Sequence, residues 1–280
     1  MLKPIRALYI KVARALWLFC PTPRHETKNG RYSIGVVTYI RRFENLFKPL
    51  ISQLCKLFPD SEIIVAVNGY YDHEQQTIYL KKINSFLEKY PNVKVLCHDR
   101  PQSLSRLWNQ LIINSANAKV LIFNDDVLLL PSFRRHFENS GSLAMDVVLL
   151  KNSWSHFLIA KRVTSVAGWF DERFPGVGNE DEDYEARLAL LGEPVHCIEL
   201  GGLKNISVKT KDFSYGKTVE VTKEKYITAN KVFFDSKWEI AEESRPGFAY
   251  VRILQNYVKL KPGMETPDFY PEIDYAKDRS

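Results

Sequence analysis

One stretch constrains this chain more than any other: Lys119-Val120-Leu121-Ile122-Phe123 runs straight into Asn124-Asp125-Asp126-Val127. Branched and aromatic residues in an unbroken apolar run of strand length predict a parallel strand covered on both faces. Helical patterns flank it, so the expected fold is α/β, with a mostly parallel central sheet and helices on both faces. Ligands of such sheets bind just beyond the carboxyl ends of the strands. An amide and two carboxylates delivered there suit a hard divalent cation, Mn or Mg, which takes oxygen ligands and keeps positions open for substrate phosphates. A polar turn after a strand uses the same residue types, and this segment alone leaves both readings open.

The alternation of strand and helix starts at residues 32–39, where Ile34, Val36 and Val37 mark a strand. A helix follows, with Phe47, Leu50, Ile51, Leu54, Leu57 and Phe58 on one face and Pro49 tolerable near its start. Residues 62–67 form a second strand, ended by Asn68-Gly69, and residues 78–90 a second helix. After a strand over 93–97, Ser103 is placed to cap a helix that buries Leu104, Leu107, Trp108, Leu111 and Ile112. Asn109 falls off that stripe and is expected to face the crevice. Pro131 has the character of a first-turn residue of a helix running towards Asn139.

The second half changes character. Residues 147–150 and 157–160 read as short strands forming an antiparallel pair, and residues 161–167 as a short helix. Then Gly176 and Gly178 lead into Asn179, expected to cap a helix with Glu182 completing a capping box, and Gly192 ends it. Four consecutive acids, Glu180 to Asp183, open that helix; the helix dipole favours acids there, so position alone does not separate a structural role from catalysis. Residues 195–200 form a strand, residues 201–217 a Gly-, Lys- and Ser-rich loop expected to be mobile, and residues 222–234 a last clear helix. The proline-bearing tail has little apolar periodicity and is expected to be irregular.

The chain carries a formal charge of +6, but residues 1–31 hold seven basic residues and one Glu, leaving 32 of each sign in the remainder. A domain with no net charge is poor evidence for a nucleic-acid footprint, and none is expected. The basic residues sit opposite an apolar stripe of Leu2, Ile5, Leu8, Tyr9, Val12, Leu16 and Phe19, the pattern of an amphipathic helix lying on an anionic membrane surface; packing on the domain or on a partner fits it as well. Lys11 and Arg14 interrupt the only candidate span. Cys20, Cys55, Cys97 and Cys197 are far apart and lack metal-site spacing, so they read as reduced structural thiols in a reducing, cytoplasmic setting. The organisation expected is a helix and linker over 1–30, a domain over 31–240 and an extension over 241–280.

Four motifs in register carry a resemblance. Trp108-Asn109-Gln110, Asn124-Asp125-Asp126-Val127, Phe170-Asp171-Glu172-x-Phe174 with Gly178-x-Glu180-Asp181-x-Asp183, and Phe234-x-x-Lys237-Trp238 resemble the motifs of GT-A glycosyltransferases, in particular family-2-like inverting enzymes that use nucleotide-diphosphate sugars. The resemblance spans about residues 32–238. It implies a Rossmann-like GT-A fold and transfer of a sugar to a glycan or glycolipid hydroxyl. It further implies Asp126 with Asn124 as cation ligands, Thr38, Asn68, Asn109, Asn124 and Asp125 on the donor side, Asp181 as general base and Glu180 binding the acceptor. Asn124 replaces the first acid of the family's D-x-D, and two further positions depart from it: Lys204-Asn205 stands where relatives often supply a metal-binding His, so that Lys204, Lys209 or Lys211 is an alternative neutraliser of the diphosphate, and Asn68 stands where many relatives place an acid near the nucleotide base. Two other readings stay open, a catalytically silent carbohydrate-binding homologue and a nucleotidyltransferase, although Thr38-Tyr39-Ile40-Arg41-Arg42 lacks the glycines of a phosphate loop.

The N-terminal pattern makes its own prediction. Each basic residue near an anionic surface contributes about 1 kcal/mol, so vesicle binding is expected to fall steeply with added salt. A chain starting at Arg31 is expected not to sediment with anionic vesicles, and undiminished sedimentation would contradict a surface-binding helix.

Overall fold

The computed structural model describes Val12 and residues 32–40, 42–206, 217–240, 258–273 and 275. The expected N-terminal helix and the loop lysines Lys209 and Lys211 lie outside the described residues. In chain order the elements are β1 (Ser33–Thr38), α1 (Lys48–Leu57), β2 (Ile63–Val67), α2 (His73–Leu87), β3 (Val93–Cys97), α3 (Leu104–Asn114), β4 (Lys119–Asn124) and β5 (Val127–Leu129). Then come α4 (Phe133–Asn139), β6 (Val147–Leu150), β7 (His156–Ala160), α5 (Arg162–Ala167), α6 (Glu180–Leu191), β8 (His196–Ile198), β9 (Leu203–Asn205), α7 (Lys217–Lys237), β10 (Trp238–Ile240) and β11 (Val258–Leu260).

The central sheet has seven strands in the order β3-β2-β1-β4-β7-β6-β8. The pairs from β3 to β4 are parallel and so is β6 with β8, while β7 runs antiparallel to both neighbours. This is the mostly parallel sheet expected, and β1, β2 and β4 are buried throughout except at the two ends of β4, as continuous apolar runs require. One face packs Phe47, Leu50, Leu54, Ile83, Phe133 and Phe137 against Val36, Val65 and Phe123. The other packs Leu107, Trp108, Leu111, Tyr184 and Leu188 against Ile64, Ile122 and Ile159. Chain order reverses between β1 and β4, which puts the topological switch point, and so the ligand crevice, at their carboxyl ends.

Local details differ from the sequence expectation where side-chain chemistry overrides the apolar stripe. A π-helical turn over Phe43–Phe47 precedes α1, with Pro49 in its first turn. Helix α2 begins at His73 rather than at residue 78, because the Asp72 carboxylate caps the Gln75 N–H at 3.1 Å. Ser103 does cap α3, accepting from the Arg106 N–H at 3.2 Å. Pro131 lies in the turn before α4 instead of its first helical turn. The loop after β8 opens with β9, which pairs antiparallel with β5. Residues 258–273 are mostly irregular yet not loose: β11 pairs with β10, and Phe269, Tyr270, Ile273 and Tyr275 pack on the second core face.

The C-terminal elements lock the acidic segment in place. Lys237 is fully buried, and its ammonium meets Asp171 Oδ2 at 2.7 Å, Asp183 Oδ1 at 2.6 Å and the Thr266 hydroxyl at 2.7 Å. Trp238 Nε1 donates to Asp183 Oδ1 at 2.8 Å, and Phe174, Phe234, Trp238 and Val258 close an apolar cluster beside it. Removing one partner of a buried pair leaves an uncompensated charge, so Lys237→Met is expected to cost about 3–5 kcal/mol. The half-exposed pair of Lys231 with Asp235 on the same helix is the control, and Lys231→Met is expected to cost about 1 kcal/mol or less. Urea titration checks both; equal midpoints for the two variants would remove Lys237 from its structural role.

Candidate functional site

The bend between β4 and β5 sorts the residues that follow the strand. Asp125 turns inward and is fully buried, where its carboxylate accepts from the Thr38 hydroxyl at 2.7 Å and from Arg42. Burial pushes the Asp125 carboxyl up to about 6, with Arg42 pulling the other way. Asn124 and Asp126 line a cavity of about 330 Å³. Its lining also includes the apolar Val37, Leu104 and Leu107, the polar or aromatic Tyr39, Arg42, Asn68 and Gln102, and Gly176 and Val177 of the acidic loop. Arg42 stacks over the Tyr39 ring at 4.8 Å and reaches within 3.9 Å of Asp126.

Asn124 Oδ1 and Asp126 Oδ1 are both buried with no hydrogen-bond partner among the described residues. Buried oxygens left in this way carry a desolvation cost that a ligand in the cavity would relieve. No cluster of three or more His, Cys, Asp or Glu side chains suited to a metal occurs among the described residues. One carboxylate and one amide oxygen therefore fit a cation that completes its coordination with substrate phosphates and water, the mode favoured by hard divalent ions. Across the cavity end, β9 brings Asn205 opposite Val127, and Ile206 N–H donates to the Asp126 carbonyl at 2.8 Å. Lys204 is exposed on that strand.

The other expected donor-side residues divide. Asn68 holds the loop after β3 by a reciprocal amide pair, donating to Gln102 O at 3.2 Å and accepting from Gln102 N at 2.8 Å, and it lines the cavity. Asn109 does not face the crevice. It is fully buried, with its amide bridging the Phe170 N–H and carbonyl at 3.0 and 2.9 Å and donating to Glu172 at 3.0 Å, so it is a structural clamp on the acidic segment. Thr38 and Asp125 likewise bond to each other rather than into the cavity.

The acidic loop is built differently from a capping box. Asn179 adopts a left-handed conformation, φ 63°, and its side chain caps no backbone N–H; its amide meets the Glu182 carboxylate instead. Gly176 and Gly178 also have positive φ, and a Cβ on Gly176 would stand 2.4 Å from the Tyr226 ring. Asn230, not singled out in the sequence, donates to Pro175 O at 3.0 Å and Gly178 O at 2.8 Å; its signal was the Tyr226, Asn230, Phe234 spacing of four along one helix face.

The four acids thus have separate fates. Asp183 is consumed by Lys237, Trp238 and Arg187. Glu182 is held by Asn179, and the buried Glu180 accepts from the Gly178 N–H. Asp181 is half-buried, and its Oδ1 accepts from the Glu182 N–H at 3.0 Å, with no side-chain hydrogen bond among the described residues. Burial, then the charge of Asp181, raises the Glu180 carboxyl; burial, then the charge of Glu182, raises Asp181. Asp171 moves the opposite way: burial alone would raise it, but hydrogen bonds from Arg173 and Lys237 hold it at about 2.

Two solved structures share this arrangement of strands and helices. PcManGT, a mannosyltransferase from Pyrobaculum calidifontis solved with GDP-Man and Mn2+, superposes with a TM-score of 0.50 over 82% of this chain and 71% of its own, at 12% identity. GalNAc-T7, solved with UDP, GalNAc and Mn2+, gives 0.55 over 79% of this chain and 50% of its own, at 9% identity. The protein has the GT-A fold. S. aureus TarS matches with a TM-score of 0.48 at 15% identity, covering 65% of this chain and 37% of TarS, so this chain spans little more than a third of it. No protein-family model matches the sequence, and no curated protein is similar to it in sequence. Among the described residues, no helix of this GT-A chain is long and apolar enough to cross a membrane. Cys55, Cys97 and Cys197 are free thiols, Cys55 half-buried and Cys97 and Cys197 exposed.

The raised carboxyls carry a pH signature. With folded pKa values above the unfolded ones, the native state keeps protons that the unfolded chain has released, so stability from this pair falls as pH rises above the usual carboxylate range. Glu180→Gln is expected to flatten the loss of stability between about pH 5 and about pH 8, read as melting temperature. An unchanged slope in the variant would contradict a raised Glu180.

Proposed function

We propose that this GT-A chain is an inverting glycosyltransferase that moves a sugar from a nucleotide-diphosphate donor to a hydroxyl of a glycan or glycolipid. The observation that carries it is the pair of orphaned oxygens, Asn124 Oδ1 and Asp126 Oδ1, at the switch-point end of β4 in a cavity partly lined by the acidic loop. The PcManGT and GalNAc-T7 structures hold nucleotide ligands together with Mn2+, which supports a nucleotide-sugar donor and a divalent cation for this chain.

In this reading Tyr39, Asn68 and Gln102 receive the nucleoside, and Arg42 offers positive charge to the phosphates. A divalent cation held by Asp126 and Asn124 would stabilise the negative charge that builds on the departing diphosphate. The acceptor oxygen attacks the anomeric carbon from the side opposite the leaving group. The new C–O bond forms as the bond to the β-phosphate oxygen breaks, the nucleoside diphosphate leaves, and configuration inverts. Asp181 takes the hydroxyl proton, and its raised affinity for a proton suits that work at neutral pH. Glu180 orients the acceptor from the helix start. The basic, apolar-striped segment over residues 1–30 would hold the enzyme at an anionic membrane surface, where a lipid-borne acceptor would be presented.

Two substitutions separate the roles. Asp181→Asn is expected to lower turnover by about 10² to 10⁴ with donor affinity nearly unchanged, whereas Asp126→Ala is expected to abolish transfer and the Mn2+-dependent part of donor binding. Transfer assays and calorimetric donor titration check both. Normal turnover in Asp181→Asn would move the base to a neighbour, and near-normal activity in Asp126→Ala would place the site elsewhere.

A further inference from the structure

A second cavity, larger than the first at about 620 Å³, shares Gln102 and Gly176 with it. Its walls combine three tyrosines, Tyr70, Tyr71 and Tyr226, with Arg100, Arg106 and Glu172. Tyr71 is 66% exposed, and its ring stands 6.4 Å from that of Tyr70 and bonds through its hydroxyl to Tyr226 at 3.2 Å. Large rings held open at a cavity wall, with hydroxyls at their edges, are suited to a partly apolar, hydroxylated ligand.

The charge is lopsided. Glu172, the one carboxylate of the wall, already accepts from Asn109 at 3.0 Å and from the Tyr270 hydroxyl at 2.5 Å, and stands 3.9 Å from Arg106. Arg106 keeps 51% of its side chain exposed, and Arg100 makes no ion pair among the described residues. The backbone that carries Arg100 is nonetheless rigid: a Cβ on Gly69 would stand 2.3 Å from it, and the Asn68–Gln102 amide pair pins the next turn. Two arginines and an aromatic wall lining one cavity match an anion attached to a sugar, since guanidinium binds phosphate and carboxylate through paired N–H donors.

We propose that this cavity binds an anionic saccharide, a sugar carrying a phosphate or a carboxylate, as the acceptor. Its place as acceptor rests on the glycosyl-transfer reading; its chemistry rests on the cavity alone. The full chain is titrated by calorimetry with glucose 6-phosphate, glucuronate, glucose and inorganic phosphate, and separately with UDP and GDP in the presence of Mn2+.

The expected result is that one of the two anionic sugars binds more tightly than glucose and more tightly than free phosphate. Arg100→Glu with Arg106→Glu should weaken it by about tenfold or more, and Tyr71→Ala should weaken it independently. Nucleoside diphosphate affinity should stay unchanged in all three. Both arginines and Tyr71 are exposed, so melting temperatures near that of the parent chain are expected.

Equal binding of glucose, equal binding of inorganic phosphate, or indifference to the arginine substitutions would each overturn the proposal. Loss of nucleotide binding in the arginine variants would do the same, by assigning the cavity to the donor. Nucleotide binding that is absent, or unaffected by Asp126→Ala, would defeat the glycosyl-transfer reading while leaving the anionic-sugar site standing.

Discussion

The structure depends on one buried ammonium. Lys237 has no exposed surface and stands between Asp171 and Asp183, residues at the two ends of the acidic segment. Taking these charges out of water is costly, and the cost is met only because each partner has further bonds: Arg173 on Asp171, Arg187 and Trp238 on Asp183, Thr266 on the lysine itself. The result is a fixed span for the chain between them, which contains Gly176, Gly178 and the Glu180–Asp181 pair. Two of the acidic residues are therefore scaffold, and their ionisation holds the others in place.

A similar division occurs at the end of β4. At the end of β4 and in the bend that follows it, Asp125 goes inward to Thr38 and Arg42 while Asn124 and Asp126 line the cavity. The middle residue ties β1 to β4 across the switch point, and its neighbours keep their oxygens available. Both halves of the site thus follow one rule: a buried carboxylate paired with a cation anchors the backbone, and a residue one or two positions away is left for a ligand.

Much of the sheet was legible because apolar runs of strand length and helical stripes report burial directly, as in residues 119–124 and the face of α3. The antiparallel turn of β7 and the stop at Gly192 were legible for the same kind of reason. What failed depended on partners distant in sequence. Asn109 read as crevice-facing because it lies off the stripe, yet Phe170, far along the chain, takes its amide. The capping box failed because Asn179 entered a left-handed conformation that no residue pattern specifies. The tail looked irregular and mostly is, but Tyr270 donates to Glu172 and Thr266 to Asp171, single hydrogen bonds that leave no periodicity to detect. Arg42 was hidden for the same reason, since its partners Asp125 and Asp126 lie far along the chain.

The central claim is that the oxygens at the end of β4 hold a divalent cation and that the cation in turn binds the diphosphate of a nucleotide. A crystal structure of the full chain grown with UDP or GDP and manganese, with anomalous scattering used to locate the metal, tests it most directly. The account predicts a manganese peak in coordinating contact with Asp126, the diphosphate bound to that metal, and the nucleoside between Tyr39 and Asn68. A nucleotide seated in the tyrosine-lined cavity, or manganese bound away from Asp126 with Asn124 and Asp126 unliganded, would contradict it.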